Sequence, residues 1–288
     1  MAVSTATAGE LTREQVTAIL TGPLEQKSVF LAAGPRIFDT DGSPVRIPRS
    51  PGSVVEQLEW VGENEQIPEV DPEFDETSLL PSTMESVKVI TRYSNELARQ
   101  SVVALDAALR DRLVADVAAK IDGQLLSATG DGITTPRGLF AYEGVQEVAV
   151  GGAVDLDALM DGYGLALGAN VDPATLRLFI RPDTYMDLRK IKDNDGRYML
   201  QPDASSGGIV VPALGATVHL STRIPAGNAA LVDMGQVAVA RDLAPTVKIL
   251  TERYADYDQQ AIRVVARYDA APLNPEAVVT FTGITAAE

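Results

Sequence analysis

The most regular hydrophobic pattern of the chain predicts one long helix. Apolar residues recur there at steps of three or four, the spacing that places side chains on one face of an α-helix. These positions are Val102, Leu105, Leu109, Leu113, Val117, Ile121 and Leu125. Charged residues such as Asp111 and Lys120 occupy other faces. We therefore predict a helix from about Val102 to Ser127, with one surface in a core and the other free for neighbours.

A second pattern, with a period of two, predicts a β-hairpin around an acidic segment. Its first arm alternates Val54, Leu58 and Trp60 with Glu56 and Glu59, and its second arm alternates Val87 and Val89 with Lys88. An isolated two-stranded ribbon is only marginally stable in water, so we expect it to lie on another surface. For the tip, Asn64 to Glu76, a disordered acidic loop is the alternative.

The remaining patterns indicate a mixed α+β fold. Helices are predicted from Thr12, over Leu24 to Ala33, over Leu156 to Leu167 and over Pro182 to Ile191. Strands are predicted at Leu176 to Ile180, around Val218, Ala230 and Val237 to Val239, and at Val247 to Leu250, Ala261 to Tyr268 and Ala277 to Phe281.

Charge and composition exclude several classes of function. The 288 residues carry a net charge of −16, and ten acidic residues but no Lys or Arg lie between Ser50 and Val87. This balance disfavours an extended nucleic-acid interface, which needs clustered Lys and Arg. The chain has no cysteine, no run near the ~18 apolar residues of a membrane span and no signal-peptide pattern at its N-terminus. We expect a soluble protein, without membrane contact, that folds in the cytoplasm.

Motifs for catalysis or cofactor binding are weak. The single histidine, His219, lies in an alternating segment without an acidic partner, so a satisfied structural histidine is favoured. Gly130 to Gly132 lacks the Gly-Lys-Ser/Thr of a phosphate loop, and Asp193 to Gly196 lacks the further ligands of a calcium loop. Both are interpreted as turns. We predict no enzyme activity, no catalytic residue, no cofactor and no metal.

Trp60, the only tryptophan, is predicted to lie on the apolar face of the first hairpin arm. Core packing is one interpretation of it. An inter-subunit contact is favoured, because a thin ribbon has little core to offer.

Several motifs, in this order, resemble the major capsid proteins of tailed phages, which have the Hong Kong 97-like fold. They are Leu58-Glu-Trp-Val-Gly-Glu63, Ser94-Asn-Glu-Leu97, Asp122-Gly-Gln-Leu-Leu126, Gly130-Asp-Gly132, Pro136-Arg-Gly-Leu139, Arg181-Pro-Asp-Thr184, Leu188-Arg-Lys-Ile-Lys-Asp-Asn-Asp-Gly-Arg-Tyr198, Leu214-Gly-Ala-Thr-Val218 and Asp233-Met-Gly235. The resemblance covers about Leu11 to Gly283 and rests on the order and spacing of the motifs together.

The resemblance implies an α+β fold with named parts. These are an N-arm (1–52), an extended E-loop hairpin with its return strand (53–93), a P-domain with a long spine helix and its following loop (94–139), an A-domain (140–244) and return strands of the P-domain (245–288). Candidate inter-subunit contacts are Trp60, Glu63, Glu65, Glu69, Lys88 and Arg92.

The implied function is that of a major capsid protein. It forms homo-pentamers and homo-hexamers of an icosahedral shell around double-stranded DNA, assembles in the host cytoplasm and ends in the virion. The implied partners are copies of itself, a separate scaffolding protein and the portal, with a decoration protein left open and weak or no direct binding of the packaged DNA. The alternatives are an encapsulin-like shell that encloses cargo enzymes and an acidic hydrolase or lectin-like module.

Two departures from the family pattern shape these expectations. Some relatives join subunits by an isopeptide bond between a hairpin Lys and an Asn of a neighbour, but the region near Ser82 has no Lys and the strand near Asp258 has no Asn. We therefore expect non-covalent contacts. Many relatives begin with a scaffolding segment that is later removed, whereas this chain starts near the arm, so a separate scaffolding protein is expected unless the sequence is already trimmed.

Overall fold

The computed structural model describes residues 27–49, 60–63, 75–96, 105–200, 215–242, 246–250 and 252–285. The predicted helix from Thr12, the hairpin positions Val54 to Glu59 and most of the acidic tip lie outside these residues. The α-helices that lie wholly within these residues are α1 (Val29–Ala32), α2 (Leu105–Leu125), α3 (Leu156–Gly168) and α4 (Pro182–Arg189). Single 3-10 turns span Leu139–Ala141, Met234–Gln236, Ala255–Tyr257 and Pro275–Ala277.

The strands of the described residues form four sheets. They are β1 (Arg36–Thr40), β2 (Val45–Arg49), β3 (Asp75–Leu79), β4 (Val87–Ser94), β5 (Gln146–Ala149), β6 (Leu176–Ile180), β7 (Thr217–Leu220), β8 (Ala229–Asp233), β9 (Val237–Asp242), β10 (Thr246–Leu250), β11 (Gln259–Ala266), β12 (Tyr268–Pro272) and β13 (Val278–Thr282). Their orders are β1-β9-β12, β10-β11-β4, β5-β13-β8-β6-β7 and β2-β3. Mixed helices and sheets confirm the predicted α+β class.

The predicted long helix is α2, which runs over Leu105–Leu125. At 1.5 Å per residue it is about 31 Å long. Its apolar stripe is buried in the first core, at Leu113, Val117, Ile121 and Leu125. The same core holds the inward faces of β4 and β11, so the helix supports the sheet β10-β11-β4.

The five-stranded sheet separates two cores. One of its faces points toward α2 and contributes Phe179, Ala230, Val232 and Val278 to the first core. The alternate residues, among them Leu178, Leu231, Val279 and Phe281, face α3 and α4 in a second core. Because both faces are covered, strand β8 is buried at every position.

The sheet β1-β9-β12 also has two covered faces. Val237 and Val239 belong to the first core, whereas Ala238 and Ala240 belong to a third core with Leu79 and Leu80. This third core lies where the two-stranded sheet β2-β3 meets the rest of the subunit. The base of the hairpin is thereby packed onto the body of the protein.

The hairpin pairs differently from the prediction. Strand β2 pairs with β3, with Arg49 opposite Asp75, so residues 50–74 connect the two strands. The predicted second arm, Val87 to Val89, belongs instead to β4, which pairs with β11. The alternation of Val87 and Val89 with more exposed residues arises because one face of β4 is buried, and that face packs on α2.

Two further differences concern the division of the chain. Strand β13 lies between β5 and β8 in the five-stranded sheet, although residues 245–288 were predicted as P-domain strands. Strand β9 pairs with β1 and β12, outside the sheet formed by the rest of 140–244. Both pairings join residues far apart in the chain, which local patterns do not specify.

Candidate assembly surface

The exit of the hairpin is held by two side chains of the last third of the chain. The carboxylate of Asp269 accepts hydrogen bonds from the backbone amides of Leu80 and Ala270, both at 2.9 Å. Arg267 donates from Nη2 to the backbone oxygen of Pro81 at 2.5 Å. Leu80 has a φ of +52°, which is unfavourable for a leucine, and its side chain is completely buried. Burial of the side chain and the bond to Asp269 stabilise this conformation.

The loop after α2 braces the segment between β3 and β4. The carboxylate of Asp131 accepts hydrogen bonds from the amides of Ile133, Thr134 and Thr135. The hydroxyl of Thr83 then donates to the backbone oxygen of Ile133 at 2.7 Å, and the amide of Glu85 donates to that of Thr134 at 2.9 Å. The Thr135 amide, with the other bonds, holds the pKa of Asp131 well below its usual range. The loop is a self-contained turn, as predicted.

Gly130 is required by this loop. Its φ is +111°, and a Cβ at this position would lie 2.1 Å from the backbone oxygen of Pro136. No side chain fits there. The glycine is therefore required because two backbone segments pack closely here, and this packing explains the Gly130 to Gly132 motif without a role in phosphate binding.

A buried carboxylate of α2 fixes the beginning of the described chain. Asp122 accepts hydrogen bonds from the hydroxyl of Ser28 at 2.5 Å and from the amides of Val29 and Phe30 at 2.8 Å and 3.2 Å. Burial raises the pKa of Asp122 despite these bonds. Phe30 is buried in the first core. In the described part of the helix predicted over Leu24 to Ala33, Ser28 interrupts the helix and caps α1; Leu24 to Gln26 lie outside the described residues.

The predicted contact residues on the hairpin are exposed where the structure describes them. Trp60 has a relative exposure of 104%, and Glu63 is also exposed. Core packing of Trp60 in the subunit is therefore wrong, and its role as an inter-subunit contact stays a prediction. Glu65 and Glu69 lie outside the described residues.

The other two predicted contact residues share one face of β4. Lys88 and Arg92 are exposed and flank Ile90, which is 41% exposed. The guanidinium of Arg92 lies 5.3 Å from the ring centre of Tyr254. The structure thus brings Lys88 and Arg92 together on a sheet. It places Trp60 and Glu63 on a different segment of the chain.

His219 is a structural residue, but it is not fully satisfied. Its ring stacks on Phe179 with centres 5.4 Å apart, and its Nε2 is buried without a hydrogen-bond partner among the described residues. Burial lowers the pKa of His219, so the ring is neutral at pH 7. The prediction that the hydrogen-bonding groups of this histidine are satisfied is wrong in this detail. The ring packs with its face against Phe179, and this packing leaves Nε2 without a partner among the described residues.

The Asp193 segment is a turn, as predicted. Oδ1 of Asp193 accepts hydrogen bonds from the amides of Asp195 and Arg197 at 3.0 Å and 2.8 Å. Across the described residues, no group of three or more His, Cys, Asp or Glu side chains is arranged to hold a metal ion. In the same part of the chain, no helix has the length and apolar character needed to span a membrane.

Several residues of these sites were missed by sequence reasoning. Asp122, Asp269 and Arg267 are ordinary charged residues in a chain with 40 acids and 24 bases, and nothing local marks them as buried or bridging. Asn95 was missed as well. It donates from Nδ2 to Asp258 at 2.6 Å, so an asparagine does lie beside Asp258 in space.

The fold combines a long helix under a sheet, a two-stranded sheet clamped at its base and a mixed sheet covered on both faces, and its structural matches are Hong Kong 97-like capsid subunits. Solved structures share this fold. The capsid of the native GTA particle computed with C5 symmetry matches with a TM-score of 0.70 at 20% identity, over 89% of this chain and 90% of that chain. A chain of Mycobacterium phage Adephagia matches with a TM-score of 0.70 at 18% identity over 100% of both chains. A chain of Microbacterium phage Oxtober96 matches with a TM-score of 0.68 at 14% identity, over 95% and 99%.

The model of the phage capsid family matches residues 9–283. The chain therefore belongs to the phage capsid family and is a major capsid protein, a structural component of the virion capsid. No curated protein sequence matches it. The family and the assembled relatives support self-assembly and do not favour the encapsulin-like alternative.

Proposed function

We propose that the protein forms homo-pentamers and homo-hexamers that close an icosahedral shell around double-stranded DNA, without covalent joints. The observation that carries the proposal is the complete exposure of Trp60, the only tryptophan, beside exposed Val61. Large aromatic side chains are enriched at the centre of protein interfaces. A neighbouring subunit in the shell would cover this surface.

The hairpin acts as the joining element. Its base is clamped by Asp269 and Arg267, and the segment after it is braced by the loop of Asp131. A clamped base lets the residues between β2 and β3 meet a neighbour at a defined place, which reduces the ordering cost of the contact. In a closed symmetric shell, many modest contacts of this kind act together.

The N-terminal region acts as a second joining element. The carboxylate of Asp122, on α2, binds the hydroxyl of Ser28 and the amide of Val29. Residues 1–26 are therefore tethered to a rigid part of the subunit. We assign them to an arm that contacts another subunit. The buried acids Asp122 and Asp269 serve as clamps in this account, and no residue has a catalytic role.

The contacts are non-covalent in this account. An isopeptide bond needs a lysine on the hairpin, and the span from Ser50 to Val87 contains none, although Asn95 lies beside Asp258. The partners are copies of the chain, a separate scaffolding protein, the portal and, as an open case, a decoration protein. With a net charge of −16, direct binding of the packaged DNA is weak or absent. Assembly takes place in the host cytoplasm.

Electron microscopy of the purified, concentrated protein tests the proposal. We expect closed shells of uniform size from the full chain. A variant in which a Gly-Ser linker replaces Asn64 to Glu73 spares β3 and should give folded subunits that fail to close shells. Normal shells from this variant would refute the role of the hairpin, and a persistent monomer under all assembly conditions would refute the assembly itself. Shells from infected cells should contain DNA, whereas shells filled with an enzyme would favour the encapsulin-like alternative.

A further inference from the structure

Five aspartates of the chain are followed directly by glycine, and the fold treats these five pairs differently. An Asp-Gly pair rearranges without an enzyme when the backbone amide nitrogen of the glycine attacks the carboxyl group of the aspartate, and glycine has no side chain to hinder the approach. The reaction needs a carboxyl group and an amide that are not engaged elsewhere. All five pairs lie within the described residues: Asp41-Gly42, Asp122-Gly123, Asp131-Gly132, Asp161-Gly162 and Asp195-Gly196.

Two of the pairs are protected by helices. Gly123 lies in α2 and Gly162 lies in α3, both beyond the first turn, so their amides donate to carbonyl groups of the same helix. The carboxylate of Asp122 is also held by three hydrogen bonds from residues 28–30. Burial raises the pKa of Asp122, which favours the neutral carboxyl group that is open to attack, but the nitrogen of Gly123 stays engaged in the helix.

Two more pairs lie in turns that use the glycine amide. The amide of Gly132 donates to the backbone oxygen of Thr135 at 2.9 Å, and the carboxylate of Asp131 is bound by the amides of its own loop. The low pKa of Asp131 keeps this carboxylate ionised, the form that resists attack. In the other turn, the amide of Gly196 donates to the backbone oxygen of Asp193 at 3.0 Å. The attacking nitrogen is engaged in both turns.

The fifth pair, Asp41-Gly42, lies in an exposed turn between β1 and β2. Among the described residues, neither the carboxylate of Asp41 nor the amide of Gly42 has a hydrogen-bond partner. Gly42 has a φ of +88°, and no described atom lies within 4 Å of the position that its Cβ would take. The turn is held at its ends instead, because the hydroxyl of Thr40 donates to the backbone oxygen of Ser43 at 2.6 Å. The two reacting groups are thus exposed to water without a competing partner from the described part of the chain.

We propose that Asp41 is the preferred site of spontaneous isomerisation to isoaspartate in the folded subunit. The amide nitrogen of Gly42 attacks Cγ of the neutral carboxyl group, so that an N–Cγ bond forms and a C–O bond breaks. The hydroxyl group leaves with the amide proton as water, and a cyclic imide remains. Water then adds to the former backbone carbonyl carbon of Asp41 and breaks its bond to nitrogen. The main chain now runs through Cβ and Cγ, and no oxidant, reductant or cofactor is consumed.

The site lies where the body of the subunit joins the base of the hairpin. Asp41 follows β1, which pairs with β9, and the turn leads into β2, which pairs with β3. Isomerisation adds one carbon atom to the main chain between these two sheets. The inference concerns the subunit alone and does not depend on the proposed function.

Ageing of the purified, dissociated subunit tests the inference. The protein is kept in mildly acidic buffer below its unfolding temperature, and samples are digested at intervals. Mass spectrometry with electron-transfer fragmentation measures isoaspartate in each peptide, and methyl transfer by an isoaspartyl methyltransferase measures the total. Asp41→Glu keeps the charge and removes the site, because a glutamate would have to close a larger and less favourable ring. Asp195→Glu is the matched control in the other exposed turn.

We expect isoaspartate to form at Asp41 about tenfold faster than at Asp195, a barrier difference of about 1.4 kcal/mol, and more slowly still at the other three aspartates. Asp41→Glu should lose most of the total signal, whereas Asp195→Glu should keep it. Equal rates at Asp41 and Asp195, or a faster rate at Asp131, would overturn the inference.

Ageing in urea separates the effect of the fold from that of the local sequence. In the unfolded chain, every one of these aspartates has the same neighbour and no hydrogen bond from the fold, so the five rates should become similar. If Asp41 keeps its full lead in urea, the sequence and not the turn sets the rate, and the inference is wrong. Circular dichroism establishes that the aged samples and both glutamate variants are folded. Should Asp41→Glu fail to fold, the peptide rates of the wild type with and without urea still decide.

Discussion

The carboxylate of Asp269 accepts a hydrogen bond of 2.9 Å from the backbone amide of Leu80, 189 residues away in the chain. This bond joins the end of β3 to β12, and Arg267 adds a second bond to the next residue, Pro81. Leu80 keeps its positive φ at the point where the hairpin leaves the body of the subunit. The direction in which the hairpin leaves therefore depends on a contact between distant parts of the sequence.

Replacing this acid tests the clamp. In Asp269→Asn, an NH₂ group replaces one of the two carboxylate oxygens, so the backbone amide of either Leu80 or Ala270 loses its hydrogen-bond acceptor. We expect a loss of about 1–3 kcal/mol in the free energy of unfolding, the cost of a buried polar group without a partner. Urea denaturation of the dissociated subunit measures it. The exposed Asp195→Asn variant is the control and should be near wild type; equal stability of both variants would contradict the clamp.

The buried carboxylate of Asp122 makes a prediction about pH. Burial raises its pKa above the usual value of 3.8, so the folded state binds the proton more tightly than the unfolded state. Stability from this group is fully present below that value and is lost as pH rises through the raised pKa. The difference in unfolding free energy between the wild type and Asp122→Asn should therefore decrease from pH 4 to pH 7. Denaturation curves at a series of pH values measure it, and a difference that grows with pH would contradict the assignment.

Gly162 on α3 is predicted to be intolerant of a side chain. A Cβ at this position would lie 2.3 Å from Cζ of Phe281, whose side chain is fully buried. Gly162→Ala should destabilise the subunit by about 1–3 kcal/mol through overpacking. Thermal unfolding measures the effect.

A neighbouring glycine provides the matched control. Gly164 lies on the same helix with nothing within 4 Å of an added Cβ. Gly164→Ala should be stabilising by about 0.5–1 kcal/mol, since alanine favours helices. Combining Gly162→Ala with Phe281→Leu should recover part of the loss, because the two changes share one space. If Gly162→Ala proves as stable as Gly164→Ala, the packing argument is wrong.

Elements with a strong local pattern could be predicted from the sequence. The strand over Leu176–Ile180 has the predicted bounds, and α2 follows the predicted apolar stripe. In α2 the buried positions follow a helical period, and the strand is an apolar segment too short for a typical helix. The turns at Asp131 and Asp193 followed from glycine and aspartate chemistry in the same way.

Pairing between distant segments could not be predicted. The alternation in Val87–Ser94 requires one buried face but does not say whether β3 or β11 lies beside it. The clamps of Asp122 and Asp269 depend on burial that the fold creates, and the sequence around them resembles that of exposed acids. The exposure of Trp60 agrees with the sequence argument, which disfavoured core packing because a thin ribbon has little core to offer.

The emission of the single tryptophan tests the central claim most directly. Trp60 is fully exposed in the subunit and is the only tryptophan of the chain, so its fluorescence reports on one position. Dissociated subunits and sedimented shells should be compared by emission maximum and by acrylamide quenching. Our account predicts water-like emission and strong quenching in the subunit, with a blue shift and reduced quenching in the shell. Closed shells in which Trp60 keeps the emission and quenching of the free subunit would contradict it.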